Sequence, residues 1–378
     1  MNQWPGLSFD GAATLEDGKV HIGPAEDDTQ LTRCRHVVFR EPSKADKDCR
    51  CFAVSTDGRL LAATFDHSCT IWVWRLSDGL LVQRLQDQGH TDDINSLAFS
   101  PTSQTIVSGS DDQSVIIWNT RSGYALRRLG DHGEIVRRVA FSPNSLFVAT
   151  GCDDGAVRIW DYGSGEILHS LNLGSKVWGV HFSSDSLQLA IKLSDTGAIC
   201  DVQTGALIAT LQHERGEGMR LSLSSQGDRT ITGTTKGKAK IWNTVTGEQL
   251  LEFTEHTSGT NSQVAFSPDG AEVAIALDDH TIIACDSWTG QRHQTYQMSS
   301  SVWSLAYSPN GDYIAMGSRD GPIRVCNARS GAFLAEFKGH KGGIEGIRFL
   351  PDSYSFLSFS AYDKDVRLWS IRDAIRLR

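Results

Sequence analysis

The chain has 378 residues, of which 39% are hydrophobic, so it has enough apolar material for one large domain or for two or three ordinary ones. Its 45 acidic and 36 basic residues give a formal net charge of −9, which disfavours a nucleic-acid binder because such proteins are usually basic. No stretch reaches the ~18 apolar residues of a membrane span. The first residues have neither the basic start nor the apolar run of a secretory signal.

Eight cysteines are spread along the chain, and no pair has the C-x-x-C spacing or another spacing typical of a metal site. We predict that most of them are reduced and buried as small apolar side chains, which is typical of cytosolic or nuclear proteins. The sequence also lacks a phosphate-binding glycine loop and the common zinc and nucleophile motifs. We therefore expect no metal and no cofactor.

The first 50 residues are the least regular part of the sequence. Residues 15–23, LEDGKVHIG, are similar to CDDGAVRIW at 152–160, and residues 31–39, LTRCRHVVF, have the pattern of an outer strand. The polar segment 41–49 contains a proline and is predicted to be a loop. The N-terminus is therefore interpreted as a partial copy of the unit that follows.

From Arg50 onwards the chain repeats one unit at intervals of about 40 to 44 residues. In the clearest copy, residues 106–123, a strand of small residues is followed by a turn with two aspartates and by an alternating strand that ends on Trp118. One short strand precedes this segment and another follows it, so each unit is predicted to contain four strands. The positions equivalent to Trp118 in the eight copies are Trp74, Trp118, Trp160, Cys200, Trp242, Cys285, Cys326 and Trp369.

This repeat resembles the WD40-repeat family over roughly residues 50 to 372, and its period is that of a propeller blade. The resemblance implies an all-β fold: a WD40-type β-propeller of about eight four-stranded blades, whose ring leaves few open strand edges. Seven or nine blades are the alternatives, because the N-terminus is ambiguous. We expect one propeller domain over residues 1–378.

The last unit has no obvious fourth strand of its own, because little chain follows Trp369. Its outer strand comes either from IRLR (375–378) or from the N-terminal segment near 33–40. We favour the N-terminal segment because IRLR is short and ends the chain. Residues 1–50 are therefore predicted to be an irregular segment that helps to close the ring.

Four residue types recur in register: a His before the unit, a Ser or Thr on the small-residue strand, an Asp in the turn, and the Trp. The WD40 resemblance implies that they hydrogen-bond to one another inside each blade, where a buried Asp needs donors. The fullest sets are His90, Ser108 or Ser110, Asp112 and Trp118, and then His132, Thr150, Asp154 and Trp160. The alternative is a catalytic Ser-His-Asp set, which is disfavoured because the set recurs and no copy stands out. The chain is not expected to be an enzyme.

In WD40 proteins, the residues that flank the first residue of each inner strand reach one face of the ring and often contact partners. The positions carried over to this sequence are Arg50, Asp93, Asn95, Arg137, Lys176, Trp178, Met219, Trp303 and Glu345. Trp and Arg are enriched in binding hot spots, so Trp178 and Trp303 favour a partner at the mouth of the central channel. The opposing interpretation is that both tryptophans fill the channel or cover a neighbouring blade.

The predicted function is a non-catalytic scaffold that binds a protein or peptide, present as a monomer in the cytoplasm or nucleus. Nucleic acid and membranes are not expected as partners. One alternative is a carbohydrate or small-ligand binder that stacks its ligand on Trp178, Trp303 or Trp288. Another is a sensor domain of a larger signalling protein. The fold alone does not decide between these functions.

Overall fold

The computed structural model describes residues 13–22, 31–41, 47–130, 132–212, 219–234, 238–253, 263–277, 279–360 and 362–376. They form an all-β propeller of eight four-stranded antiparallel blades. The predicted fold is confirmed, and the blade count is eight rather than seven or nine. Within the described residues, no helix has the length and apolar character needed to cross a membrane.

The strands follow the repeat in chain order. Two N-terminal strands come first: β1 (Ala13–Ile22) and β2 (Leu31–Phe39). Blade 1 consists of β3 (Cys49–Val54), β4 (Leu60–Phe65), β5 (Ile71–Arg75) and β6 (Leu81–Leu85). Blade 2 consists of β7 (Ile94–Phe99), β8 (Thr105–Ser110), β9 (Val115–Asn119) and β10 (Ala125–Leu129). Blade 3 consists of β11 (Val136–Phe141), β12 (Phe147–Cys152), β13 (Ala156–Asp161) and β14 (Ile167–Asn172). Blade 4 consists of β15 (Gly179–Phe182), β16 (Gln188–Lys192), β17 (Thr196–Asp201) and β18 (Leu207–Gln212). Blade 5 consists of β19 (Met219–Leu223), β20 (Arg229–Thr234), β21 (Ala239–Asn243) and β22 (Gln249–Phe253). Blade 6 consists of β23 (Val264–Phe266), β24 (Glu272–Ala276), β25 (Thr281–Asp286) and β26 (Arg292–Gln297). Blade 7 consists of β27 (Val302–Tyr307), β28 (Tyr313–Ser318), β29 (Ile323–Asn327) and β30 (Phe333–Lys338), and blade 8 contains β31 (Gly346–Phe349), β32 (Ser355–Ser360) and β33 (Asp365–Ser370).

The N-terminal strands join the last two blades. Strand β2 pairs antiparallel with β33, with Val37 opposite Leu368, and so stands as the fourth strand of blade 8. Strand β1 pairs with β2 on one side and with β30 on the other, so blades 7 and 8 share one nine-stranded sheet. Residues 375 and 376 lie in the short helix α1 (Ile371–Arg376), not in an outer strand. Strand β1 therefore bridges two blades and does not begin a ninth.

The core lies between the faces of adjacent blades, which approach closely because the second strand of a blade carries small residues. A Cβ atom on Gly109 of β8 would lie 2.6 Å from Cγ1 of Val136 in blade 3. A Cβ atom on Gly151 of β12 would lie 2.4 Å from Cγ1 of Val177, in the connection before β15. Only glycine allows these contacts, which explains the small-residue strand of the repeat.

The two faces of the ring differ in the connections that form them. The top face is formed by the connections that precede the first strand of each blade and by those between the second and third strands. The opposite face is formed by the remaining connections, between first and second and between third and fourth strands. The first strands, β3, β7, β11, β15, β19, β23, β27 and β31, surround the central channel.

Candidate functional site

Arg50, the second residue of β3, links blade 1 to blade 2 at the top face. Its Nη1 donates to Asp93 Oδ2 at 2.8 Å and to Asp66 Oδ1 at 3.1 Å. Its Nη2 donates to Asp111 Oδ2 at 3.2 Å and to Asn95 Oδ1 at 2.8 Å, and its Nε donates to the same Asn95 oxygen at 3.0 Å. All three guanidinium nitrogens have partners within the protein, and 25% of the side chain is exposed.

Asn95 extends this network to blade 3. Its Nδ2 donates to Asp111 Oδ1 at 2.5 Å and to the carbonyl oxygen of Val136 at 3.1 Å. Both Asn95 and Asp93, which were expected to contact a partner, are buried. They hold the first blades together at the channel mouth and offer little surface to a ligand.

Arg137 and Lys176 share one carboxylate in the next interval of the ring. Arg137 forms a bidentate pair with Asp153, from Nε to Oδ1 at 2.8 Å and from Nη2 to Oδ2 at 2.9 Å. Lys176 Nζ donates to Asp153 Oδ2 at 3.0 Å. The hydrogen bond from Arg137 is the largest cause of a lowered pKa at Asp153, and that carboxylate in turn raises the pKa of Arg137.

Trp178 stands beside this pair with its ring 40% exposed. The guanidinium carbon of Arg137 lies 5.8 Å from the ring centroid, and Nε1 donates to Ser194 Oγ at 3.2 Å. The backbone N–H of Trp178 donates to the carbonyl oxygen of Lys192 at 2.7 Å. The side chain is therefore held in one orientation while much of its surface faces solvent.

We call this set of residues on blades 1 to 4 the top-face arc: Arg50, Asp66, Asp93, Asn95, Asp111, Arg137, Asp153, Lys176 and Trp178. Arg50 and Arg137 were predicted as partner contacts, and in the structure carboxylates bind both of them. Of these carboxylates, Asp93 was among the predicted site residues, whereas Asp66, Asp111 and Asp153 were not. Their sequence signal is an Asp immediately after the second strand of each of the first three blades, at Asp66, Asp111 and Asp153.

Trp303 lies apart from the top-face arc, in blade 7, three blades beyond Trp178. A Cβ atom on Gly343, in the connection before blade 8, would lie 2.7 Å from Cε3 of Trp303. The guanidinium carbon of Arg319 lies 5.9 Å from the ring centroid. These contacts support the interpretation of Trp303 as a cover for the neighbouring blade.

Two further predicted contacts lie elsewhere on the ring. Glu345 is exposed just before β31, and its backbone N–H donates to the carbonyl oxygen of Phe359 at 3.0 Å. Met219 begins β19, and its side chain lies outside what the structure describes. The structure therefore brings Arg50, Asp93, Asn95, Arg137, Lys176 and Trp178 together, whereas Trp303, Glu345 and Met219 belong to other blades.

Inside blade 2, four side chains form a hydrogen-bonded chain. Trp118 Nε1 donates to Ser108 Oγ at 2.8 Å, and Ser108 Oγ lies 2.7 Å from His90 Nε2. His90 Nδ1 lies 3.0 Å from Asp112 Oδ2. Burial raises the pKa of Asp112, but the hydrogen bonds from His90 and Ser114 outweigh it and hold that pKa well below its usual range.

The chain of donors fixes the tautomer of His90. Because the carboxylate of Asp112 can only accept, Nδ1 carries the proton and donates it to Asp112. In that tautomer Nε2 accepts from the hydroxyl of Ser108, whose oxygen accepts the indole N–H of Trp118. Ser108 is fully buried, so its hydroxyl serves the interior of the blade. Such a serine is not placed to attack a substrate.

The equivalent set in blade 3 is incomplete. Trp160 Nε1 and His132 Nε2 each lie 3.0 Å from Thr150 Oγ1, but Nδ1 of His132 has no hydrogen-bond partner within the described part of the chain. Asp154, predicted to join the set, accepts the backbone N–H of Ala156 at 2.9 Å instead. Burial is the largest cause that lowers the pKa of His132 to about 4.

A second complete set occurs in blade 8, where His340, Asp363 and Trp369 occupy the repeat positions. His340 Nδ1 lies 2.6 Å from Asp363 Oδ2, and His340 Nε2 lies 2.7 Å from Ser358 Oγ, which accepts Trp369 Nε1 at 2.8 Å. Its His-to-Ser separation of 18 residues equals that of His90 and Ser108.

Trp288 lies on the opposite face, in the turn between β25 and β26, and is 62% exposed. The guanidinium carbon of Arg229 lies 3.7 Å from its ring centroid. Because Trp288 and Trp178 are on different faces, they do not form one stacking site. A carbohydrate would have to be bound by either of them alone.

Within the described residues, two groups of side chains lie close enough to share a cation: Asp92, Asp93 and Asp111, and separately His340, Asp363 and Asp365. In both groups an arginine already binds the carboxylates. Arg50 reaches Asp93 and Asp111, and Arg367 Nε lies 2.9 Å from Asp365 Oδ1. These arginines compete directly with a metal ion for the same oxygens.

The eight repeated blades, two of which have a complete interior Trp-Ser-His-Asp chain within the described residues, define a β-propeller built from WD-type repeats. The sequence matches the family described as WD domain, G-beta repeat, over residues 34–75, 80–119, 123–161, 290–326 and 331–370, which together are more than half of the chain. The chain therefore belongs to the WD40-repeat family.

Several proteins with established names are similar to the chain. The periodic tryptophan protein 2 homolog of Dictyostelium discoideum is 31% identical over 42% of this chain and 18% of its own length. WD repeat-containing protein 55 of Arabidopsis thaliana is 22% identical over 96% of this chain and 78% of its own length. Eukaryotic translation initiation factor 3 subunit I of Drosophila willistoni is 25% identical over 72% of this chain and 92% of its own length. The chain spans less than a quarter of the periodic tryptophan protein 2 relatives that it matches.

Among solved structures, the crystal structure of the computationally designed Ika8 protein is similar, with a TM-score of 0.73 and 24% sequence identity. The match covers 86% of this chain and 96% of the designed protein. At this identity the likeness concerns the fold alone.

Proposed function

We propose that this protein is a non-catalytic binding platform that recognises a protein or peptide at the top-face arc, across the mouth of the central channel. The observation that carries the proposal is Trp178, which is 40% exposed yet fixed by Ser194 and Arg137. A tryptophan that is already held in place loses little conformational freedom on binding, and Trp is among the side chains most enriched in binding hot spots.

The surroundings of Trp178 support this proposal. Lys176, half exposed at its side, and Asp66, at the other end of the top-face arc, present opposite charges to an approaching partner. Such an aromatic centre with a polar surround has the composition of a protein interface. One of the similar proteins is by name a subunit of a translation initiation factor, and a subunit is part of an assembly.

The test is quantitative affinity capture with the purified chain and three alanine variants. We expect one set of proteins to be captured by the wild type and by Trp288→Ala, but to be lost from Trp178→Ala. Trp288→Ala is the matched control, because it removes an exposed tryptophan from the opposite face. Capture that is unchanged in Trp178→Ala, or reduced equally in Trp288→Ala, would contradict the proposal. The double variant Trp178→Ala/Trp303→Ala shows whether Trp303 of blade 7 also contributes to the capture of these proteins.

A carbohydrate or other small ligand stacked on Trp178 is the second candidate, since an exposed, immobilised indole also suits a sugar ring. Tryptophan fluorescence of the wild type and of Trp178→Ala during glycan titrations separates the two candidates.

The sensor domain of a larger signalling protein is a third candidate, and the complete transcript would decide it. We also infer residence in the cytoplasm or nucleus and a monomeric state, which imaging of a fluorescent fusion and light scattering would test.

A further inference from the structure

Five basic side chains lie inside the ring, next to the top-face arc but not part of it. Four are on first strands and are exposed to the central channel: Arg138 on β11, His181 on β15, Arg220 on β19 and Arg348 on β31. The fifth, Lys192, ends β16, the strand that pairs with β15. These strands belong to blades 3, 4, 5 and 8, so positive charge enters the channel from several directions.

His181 and Lys192 lie side by side because Gly179 leaves room for them. A Cβ atom on Gly179 would lie 3.1 Å from Lys192 Cβ and 3.3 Å from His181 Nε2. Arg348 is on blade 8, directly across an eight-bladed ring from blade 4, and it lines the same cavity as His181. Arg348 and His181 therefore share one cavity, Lys192 adjoins His181, and Arg220 and Arg138 lie near enough to Lys192 to act on its charge.

This space holds no compensating carboxylate among the described residues. The side chains of Arg220, Arg348, Lys192 and His181 form no hydrogen bond or ion pair with any described group. Arg138 donates only to backbone carbonyl oxygens, from Nε to Trp178 at 2.9 Å and from Nη1 to Arg137 at 3.0 Å. At the channel mouth, by contrast, every arginine of the top-face arc is bound by aspartate.

Burial and the neighbouring positive charges lower the pKa of two basic groups in the channel. Burial lowers the pKa of Lys192 to about 8, and Arg220 and Arg138 add to the effect. Burial also lowers the pKa of His181 to about 4, with Arg348, Arg138 and Lys192 contributing. Cations gathered without a counter-charge are unfavourable, and an anion placed among them would be stabilised by the same charges.

The channel also has room for a ligand. A cavity of about 610 Å³ is lined by His181, Arg348, Ser222 and Ser225, among others. Pro309 and Ser225, at its rim, lie in connections between first and second strands, so the cavity opens on the opposite face. Its volume falls in the range of small-molecule sites, ~300–1,000 Å³.

We propose that the central channel binds a small, multiply charged anion of the phosphate class, which enters from the opposite face through the cavity lined by His181 and Arg348. The anion is held by Arg348 in the cavity wall and by Arg220 and Lys192, which reach it from the part of the channel nearer the top face. Guanidinium groups bind phosphate oxygens through paired N–H donors, and several cations without partners match a ligand with several negative charges. The serine hydroxyls of the cavity wall supply neutral donors beside them. The proposed anion ligands share no residue with the top-face arc, so each proposal is tested with its own variants.

The experiment is calorimetric titration of the full chain with sodium tripolyphosphate at low ionic strength. We expect one anion per chain, and an affinity at least ~10-fold weaker in Arg220→Gln/Arg348→Gln, because two paired donors are lost. The control Arg59→Gln/Arg121→Gln removes the same charge from exposed turns of the opposite face, and it should change the affinity less than ~2-fold. Arg348→Lys keeps the charge without the paired donors and should give an intermediate loss.

Thermal melting in chloride buffer shows whether the channel variant folds, and we expect its melting temperature to be no lower than that of the control, because mutual repulsion is reduced. Equal loss of affinity in both double variants would mean diffuse surface attraction and overturn the proposal. So would an absence of tripolyphosphate binding by the wild type. Tighter binding of a phosphoserine peptide than of tripolyphosphate would also overturn it, since the anion would then belong to a polypeptide.

Discussion

Arg50 of blade 1 and Asp93 of the connection before blade 2 lie 2.8 Å apart although they are 43 positions apart in the chain, and this pair ties one repeat to the next. Asp66 and Asp111 share the same guanidinium, at 3.1 and 3.2 Å. The ion pairs of Arg50 with Asp93 and Asp111 are thus contacts between blades, whereas its pair with Asp66 lies within blade 1. Their loss should affect stability before it affects recognition.

Replacing Arg50 with Met keeps most of the apolar stem and removes the charge shared by three carboxylates. We expect the free energy of unfolding to fall by about 1–3 kcal/mol, because the aspartates then repel one another and lose their donors. Arg59→Met is the control, since that side chain is 82% exposed, and it should change stability by less than ~0.5 kcal/mol. Urea unfolding of both variants gives the comparison, and equal midpoints would refute the bridging role.

The fold could be predicted from the sequence because its determinants are local and periodic. Trp118 and its equivalents recur once per blade, and Gly109 marks a strand against which the next blade packs. Partners that lie one blade away were harder to predict. Arg50 was placed correctly on its strand, but the side chains it contacts depend on the twist between two sheets, which no pattern within one repeat encodes.

The N-terminal strands illustrate the same limit. Residues 31–39 have the alternation of an outer strand, so the pairing of β2 with β33 could be anticipated from the missing strand of blade 8. Because LEDGKVHIG is similar to CDDGAVRIW, strand β1 was interpreted as belonging to a partial copy of the repeated unit. Its pairing with β30 uses backbone hydrogen bonds on a free strand edge, and backbone pairing of this kind leaves little trace in side-chain identity.

Trp118 and Trp74 are both fully buried at the same position of the repeat, but only Trp118 donates its indole N–H, to Ser108. Nε1 of Trp74 has no partner within the described residues. Trp→Phe removes similar volume at both sites, so we expect Trp118→Phe to cost about 1–2 kcal/mol more than Trp74→Phe, because Ser108 loses a donor. Chemical denaturation of the two variants measures the difference, and equal losses would show that the interior hydrogen bonds add nothing to packing.

The stability of the protein should depend on pH through His132. Burial, and next the charge of Arg158, lower its pKa to about 4 from the value of 6.5 that the unfolded chain has. The unfolded state therefore binds a proton first, and the contribution of neutral His132 is fully present above pH 6.5 and is lost as the pH falls toward 4. Between pH 7.5 and pH 5, wild type should lose about 2 kcal/mol more than His132→Gln. Urea unfolding at both pH values is the measurement, and parallel losses in the two proteins would exclude His132 as the source.

Replacing Trp178 and replacing Trp303 with Ala should lower the stability of the protein by different amounts. Trp303 packs against Gly343, so Trp303→Ala opens a gap between blades 7 and 8 and should cost about 2–4 kcal/mol. Trp178 is 40% exposed, so Trp178→Ala should cost less than ~1 kcal/mol. Melting temperatures and urea midpoints of the two variants test this, with Trp288→Ala as the reference for an exposed tryptophan. A large loss in Trp178→Ala would favour a filling role for that residue.

We expect the ring to depend on β2, because Val37 and Phe39 are fully buried between blade 8 and blade 1 and the ring centroids of Phe39 and Trp74 are 5.7 Å apart. Deleting residues 1–45 would uncover this apolar surface and leave the edges of β33 and β30 without partners, and free strand edges promote aggregation. The melting temperature should fall and aggregation on heating should increase. Deleting residues 1–12 is the control, since it leaves β1 and β2 in place. An unchanged melting temperature after the longer deletion would mean that the ring closes without the N-terminal strands.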